Sequence, residues 1–439
     1  MTLGVEDRRA RWVEAALAHL DDGDLAATCV ALVDVPSPTG DEAALATVLA
    51  DRMRAGAGDG HLQPLDDRQA NAWGRLRGDG TGPTLMLYAP IDTLTVGTPD
   101  EDLPWVGDEL RPHMVPRATI AGGQVSGLGA MNPKGHAACV LAAWEAIHRA
   151  GVPLRGDVVA AFGAGGMPTN ARPGPRRHTG QGVGASFLLE QGVWADAAVI
   201  AKTGWAIAWE EVGLAWCDVT VRGTHTYVGA RHRLPYRNAI DGASRLVRHL
   251  EDWFPGYGRR HRTELCEPQG IVAAMEAGWW RMAAVTPAQA RFRVDLRLAP
   301  GQSPLDAKRE LEAAVAACAA EVPGLDATVE LALAIPGSRT DPGHWVCRRA
   351  IAAWEAVAGR PHEPITATSG ATDANILRNR GIPTVRVGLP KVRRHGVEVD
   401  FAAGMNTVEV SALRTLTRFL IRVAVDVATT ERAELEGVR

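Results

Sequence analysis

Short apolar runs alternate with helical stretches at both ends of this chain, and the middle breaks that rhythm. Residues 84–88, 158–162 and 197–201 contain no charged side chain. A strand buried on both faces needs such a run, and the helical stretches between the runs supply the cover. The alternation therefore predicts a central sheet, largely parallel. Further strands are predicted at 72–77 and 382–387. Helices are predicted at 5–33, 43–53, 137–149, 185–191, 343–357 and 409–427. Near residue 213 the period changes. Residues 214–222 and 290–298 alternate as half-exposed strands, 327–333 forms another strand, and helices span 238–253 and 304–320. This reads as an α+β unit set into an α/β domain, with boundaries at 1–212, 213–334 and 335–439.

A length of 439 residues suits two domains. The 47 basic and 51 acidic residues leave a net charge of −4, without the basic excess of a nucleic-acid binder. The first twenty residues lack an apolar core of the signal-peptide kind, and no run of eighteen apolar residues occurs. Neither a signal peptide nor a membrane span is expected. The six cysteines are scattered with no CxxC, which predicts reduced thiols in a cytoplasmic protein rather than a disulfide frame or a metal cage.

An ordered set of motifs runs along the chain. Leu32-Val33-Asp34-Val35-Pro36-Ser37 is followed by Gly40 and Glu42, and Thr39 to Glu42 also fits a helix capping box. Then come 85–92, 127–135, 161–167, 196–203, Arg293-Val294-Asp295-Leu296-Arg297, and 369–373 with Gly381-Ile382-Pro383. This set resembles the acetylornithine deacetylase, succinyl-diaminopimelate desuccinylase and glutamate carboxypeptidase family over nearly the whole chain. The resemblance implies a zinc-exopeptidase-like catalytic domain with a mixed central sheet. It also implies an inserted α+β lid that pairs two subunits into a homodimer and lends a histidine across the interface.

The resemblance also implies two zinc ions, which lower the pKa of bound water to about 7 and polarise the scissile carbonyl. The positions matching the family's ligands hold other residues. Pro90 stands for a histidine, Asn132 for the bridging aspartate, Gly165, Gly166 and Met167 for an acidic base and ligand, Lys202 for an acidic ligand, and Ala402 or Ala403 for the last histidine. No metal and no other cofactor is therefore expected in the family's site.

Other residues become candidates for chemistry. Lys202 ends a predicted strand, where its ammonium can take the cation's place, pair with Asp92 and polarise a carbonyl; a purely structural Lys202–Asp92 ion pair is the competing reading. Asp92 is a candidate base. His225 falls near the lid histidine that the family uses on the oxyanion. Asn132, Lys134, Asn238, Ser369 and Arg176 are candidate substrate contacts. Against these stand an exposed loop lysine for Lys134, a helix N-cap for Asn238 and turn chemistry for Ser369. For Arg176, with Arg172, Arg177 and His178 beside it, the competing reading is a surface loop. His136 and His395 are further histidines of the same frame.

The expected function is a metal-independent enzyme acting on an amide-type C–N bond, or in a related acyl transfer, of a small polar, anionic substrate. The alternatives are a non-catalytic scaffold that binds a small ligand or partner protein, and a metal-dependent amidohydrolase with shifted ligands. Nucleic acid and membrane are not expected partners.

Overall fold

Six strands build the sheet of the first unit: β1 (His61–Pro64), β2 (Ala70–Leu76), β3 (Leu85–Pro90), β4 (Val158–Gly163), β5 (Ala197–Ala201) and β6 (Thr384–Val387). Their order is β1-β2-β4-β3-β5-β6. The four strands β4, β3, β5 and β6 run parallel, and β1 and β2 join antiparallel at one edge. The sheet is thus mixed, with β3 at its middle. These coordinates are a computed structural model that describes residues 5–169, 180–394 and 396–436.

β3, β4 and β5 are buried along their whole length, as their uncharged sequences require. Alternate side chains (Met86 and Tyr88, Val159 and Ala161, Ala198 and Ile200) form one core with Ala185, Leu188 and Leu189 of the helix Val183–Glu190 and Leu377 of Ala374–Asn379. On the other face, the helices Lys134–Arg149 and Val410–Ala428 pack on each other and on β3. The single helix predicted at 5–33 is two, Val5–Leu17 and Asp22–Val33, because Asp21 caps the second by accepting from the Asp24 N–H at 2.9 Å.

The chain divides into two units, Met1–Trp209 with Thr340–Pro364 and Thr372–Arg439, and Glu210–Arg339 with Ile365–Ala371. The second unit is an antiparallel sheet in the order 270–277, 289–298, 213–222, 326–335. Its inward residues, among them Cys217, Val219, Phe292 and Val294, meet Leu246 and Leu250 of the helix Ala239–Arg260 and Leu311 of Pro304–Glu321. All six cysteines are buried free thiols. No helix among the described residues is long and apolar enough to cross a membrane.

Candidate active site

In a parallel sheet, ligand-binding groups collect where the strands end at their carboxyl side. β3 ends at Pro90, β4 at Gly163 and β5 at Ala201, so Asp92, the loop 164–167 and Lys202 all leave neighbouring strands at that edge.

Asp92 has no exposed surface. Its carboxylate accepts from the Thr39 hydroxyl at 2.7 Å, the Gly166 N–H at 2.8 Å and the Met167 N–H at 2.8 Å. Gly165 sits at φ +62°, a left-handed conformation that glycine adopts without strain. The two amides that follow it cradle the anion, much as backbone nests hold anions elsewhere. A group so enclosed and so fully hydrogen-bonded cannot reach a substrate proton. The assignment of Asp92 as a base is therefore replaced by a positioning role: it fastens the loop 165–167.

The same loop is held a second time. Glu42 is buried, and its Oε1 accepts from the N–H groups of Gly40 (2.9 Å) and Gly165 (3.0 Å). Burial first, and then the nearby charge of Asp92, push its carboxyl up to about 8. The shift favours its uncharged form at neutral pH. The capping box expected over Thr39–Glu42 does not form, because both side chains are drawn into this cluster instead. The helix begins at Ala43 without a side-chain cap. Behind the loop, the Tyr88 hydroxyl donates to Asp373 Oδ2 at 2.6 Å.

Position 166 stands against position 90. A Cβ on Gly166 would lie 2.7 Å from Pro90 Cβ, 2.9 Å from Asp373 Oδ2 and 3.2 Å from Asp92 Oδ1. The two positions thus face each other, one carrying a proline ring and the other a hydrogen, so neither brings a donor atom. Met167 is buried beside them.

Lys202 is 6% exposed, and its main-chain N–H donates to Val387 O at 2.9 Å, joining it to the end of β6. Its charge reaches His136. Burial, and then Lys202, lower that imidazole to about 3, so it stays neutral, and its Nε2 accepts from the Leu389 N–H at 3.3 Å. His136 is therefore a buried acceptor. Lys134 departs from expectation. It has no exposed surface and donates to the carbonyls of Val35 (2.6 Å) and Val33 (3.4 Å); burial pushes its ammonium down to about 7. It holds the 33–35 segment.

Asn132 is 5% exposed. Its Nδ2 donates to Met405 Sδ at 3.4 Å, while its Oδ1 is buried without a partner. It lines a cleft of about 560 Å³ within the first unit, together with Trp105, Arg111, Phe401 and Ala402. Ala402 lies in the helix Phe401–Asn406, capped by Asp400.

The remaining candidates belong to the second unit or fall outside the described residues. His225 is exposed, with Nδ1 3.0 Å from Thr286 O. That contact requires the proton on Nδ1, so Nε2 can donate only when the ring is protonated. Asn238 caps its helix, Oδ1 accepting from the Ile240 N–H at 3.0 Å, and Ser369 Oγ accepts from the Gln269 N–H at 3.0 Å. Arg176, with Arg172, Arg177 and His178, lies outside the described residues, as does His395. Sequence reasoning missed Glu42, Tyr88 and the aromatic walls of the cleft. Only Glu42 carried a signal, and that signal pointed to a helix start.

At the positions that the sequence resemblance matches to metal ligands, the side chains present do not fit a di-zinc centre. Proline, glycine and alanine bring no donor atom, and an ammonium repels a cation. Among the described residues, no group of three or more His, Cys, Asp or Glu stands together so as to hold a metal ion.

Residues 210–323 match the family model described as the peptidase dimerisation domain. Solved structures share the fold across both units. An aminopeptidase of Bacillus cereus is 18% identical, with 93% of this chain and 100% of that one covered, at a TM-score of 0.65. A dinuclear metal-binding peptidase of the M20 family from Bacillus subtilis is 14% identical, with 97% and 100% covered, at 0.60. An amidase of the hydantoinase/carbamoylase family from Burkholderia multivorans is 16% identical, with 94% and 99% covered, at 0.62. The fold is that of the M20 peptidases.

Proposed function

We propose that this chain is a metal-independent enzyme on a peptidase and amidohydrolase scaffold, cleaving or transferring at an amide-type C–N bond of a small molecule. Lys202 carries the reading. It is a buried cation at the carboxyl end of β5, beside the strand that ends at Pro90. An ammonium fixed at such a place stabilises negative charge developing on a carbonyl oxygen, the task a metal performs as a Lewis acid. Asn132 Oδ1 is the acceptor for the amide N–H. Asp92 and Glu42 act through the loop they hold and do not touch the substrate. His225 is the proposed second donor to the oxyanion. Without a metal-bound hydroxide, the chemistry favours substrates with a good leaving group. The match of residues 210–323 to a dimerisation domain supports a homodimer.

The test is turnover of a panel of N-acyl amino acids and acyl anilides by the full chain after chelation, with residual metal measured by mass spectrometry. Activity is expected to persist without metal. Lys202→Met should reduce kcat by about a hundredfold or more, the usual cost of losing an oxyanion-stabilising group. Activity that returns only with added zinc or manganese, or a fully active Lys202→Met protein, overturns the proposal. Ligand binding without any turnover overturns the enzyme reading in favour of a binding protein.

A further inference from the structure

The cleft beside Asn132 has a chemistry of its own. Its volume of about 560 Å³ lies within the range of small-molecule sites. Its walls are mostly apolar: Leu94, Trp105, Met114, Leu128, Phe401 and Met405. Trp105 is 80% exposed and Phe401 72%, so two aromatic rings of the lining have little of their surface covered. Isolated exposed apolar residues are ordinary, but two large rings on one concave surface form a platform for another flat group.

Several polar groups of the lining are already paired. Arg111 grips Asp400 through both guanidinium nitrogens, at 2.7 and 3.0 Å, which cancels the one pair of opposite charges in the wall. The Gly129 N–H donates to Asn406 Oδ1 at 2.7 Å, and the Thr93 hydroxyl to Thr95 O at 2.8 Å. Asn132 Nδ2 goes to Met405 Sδ. Among the side-chain atoms of the lining, Asn132 Oδ1 is the one that is fully buried and without a partner. A buried acceptor left unmade costs free energy, and a ligand that brings a donor recovers it. A carboxylate brings none.

We infer that this cleft binds an uncharged aromatic amide, its ring against Trp105 and Phe401 and its N–H donated to Asn132 Oδ1. The inference takes the amide from the function proposed above, and it replaces the anionic substrate expected from the sequence with a neutral one. It concerns binding and requires no turnover.

Calorimetric titration of the full chain separates the two proposals. The probes are N-benzylbenzamide, its N-methyl derivative and 4-(benzamidomethyl)benzoate. The N–H amide should bind about tenfold more tightly than the N-methyl form, the worth of one hydrogen bond to a buried acceptor. The carboxylate should bind no more tightly than the neutral amide. In Asn132→Leu the N–H preference should vanish. Trp105→Ala and Phe401→Ala, at exposed positions that leave the core intact, should weaken all three probes. No binding, equal binding of the N–H and N-methyl forms, or tightest binding of the carboxylate overturns the inference. If Asn132→Leu does not fold, the N-methyl comparison and the two aromatic variants still decide it. Binding without hydrolysis sinks only the enzyme reading. Metal-free hydrolysis of other amides with no binding of these probes sinks only the cleft.

Discussion

Asp92 shows how one buried carboxylate can set the shape of a site it does not serve chemically. Three donors from two distant segments converge on it. Replacing it with asparagine turns one acceptor oxygen into an NH2 group facing a donor. Asp92→Asn is expected to lose about 1–3 kcal/mol of stability, read from urea midpoints; an unchanged midpoint would show that the loop is held by other means. Glu42 gives a prediction with a sign. In the fold its carboxyl is raised from 4.5 to about 8. Between those values the unfolded chain has released a proton that the folded chain keeps. Stability therefore falls as pH rises through that window, by at most about 1.4 kcal/mol per unit, and levels off above it. Glu42→Gln removes this term, so the variant should gain on the parent between pH 5 and pH 8. A stability difference that stays flat across that range counts against a protonated Glu42. Neither role was legible in the sequence. Thr39 and Glu42 fit a local capping pattern, and nothing local reveals partners about fifty and over one hundred residues away.

At the scale of elements, the sequence was legible wherever one face is buried. The helix Ala239–Arg260 keeps its apolar period through Leu246, Leu250 and Phe254, and it continues past the predicted end despite Pro255. The strand 270–277 was missed because it lies at the edge of its sheet. Most of its side chains are exposed, so no alternation of polar and apolar residues marks it. Asn238 belongs to this scale too. It was a candidate for substrate contact, and its side chain caps the helix. Asn238→Ala should cost about 1 kcal/mol in denaturant unfolding, whereas serine should restore most of it. A rise in KM with unchanged stability would return Asn238 to the substrate.

At the scale of the whole molecule, the order of motifs revealed the α/β frame with its insertion, because three of them, 85–92, 161–167 and 196–203, end neighbouring strands of the central sheet. The cleft was not legible. Its walls come from 93–114, 128–132 and 400–406, and only the fold brings these together. The dimerisation-domain match leads to a simple expectation: light scattering should give twice the 46.7 kDa of one chain, and a monomer at micromolar concentration would remove the partner subunit from any account of His225. The close approach of Gly166 to Pro90 also matters to anyone who would engineer a metal centre into this frame. Glutamate at 166 would press its Cβ against the proline ring and bring its charge to two carboxylates. Histidine at 90 alone would bring a single donor. Neither step alone builds a site, and the one at 166 is strained while the proline ring stands. Variants changed together at both positions, with Asp92 relieved of its load, are the ones worth building.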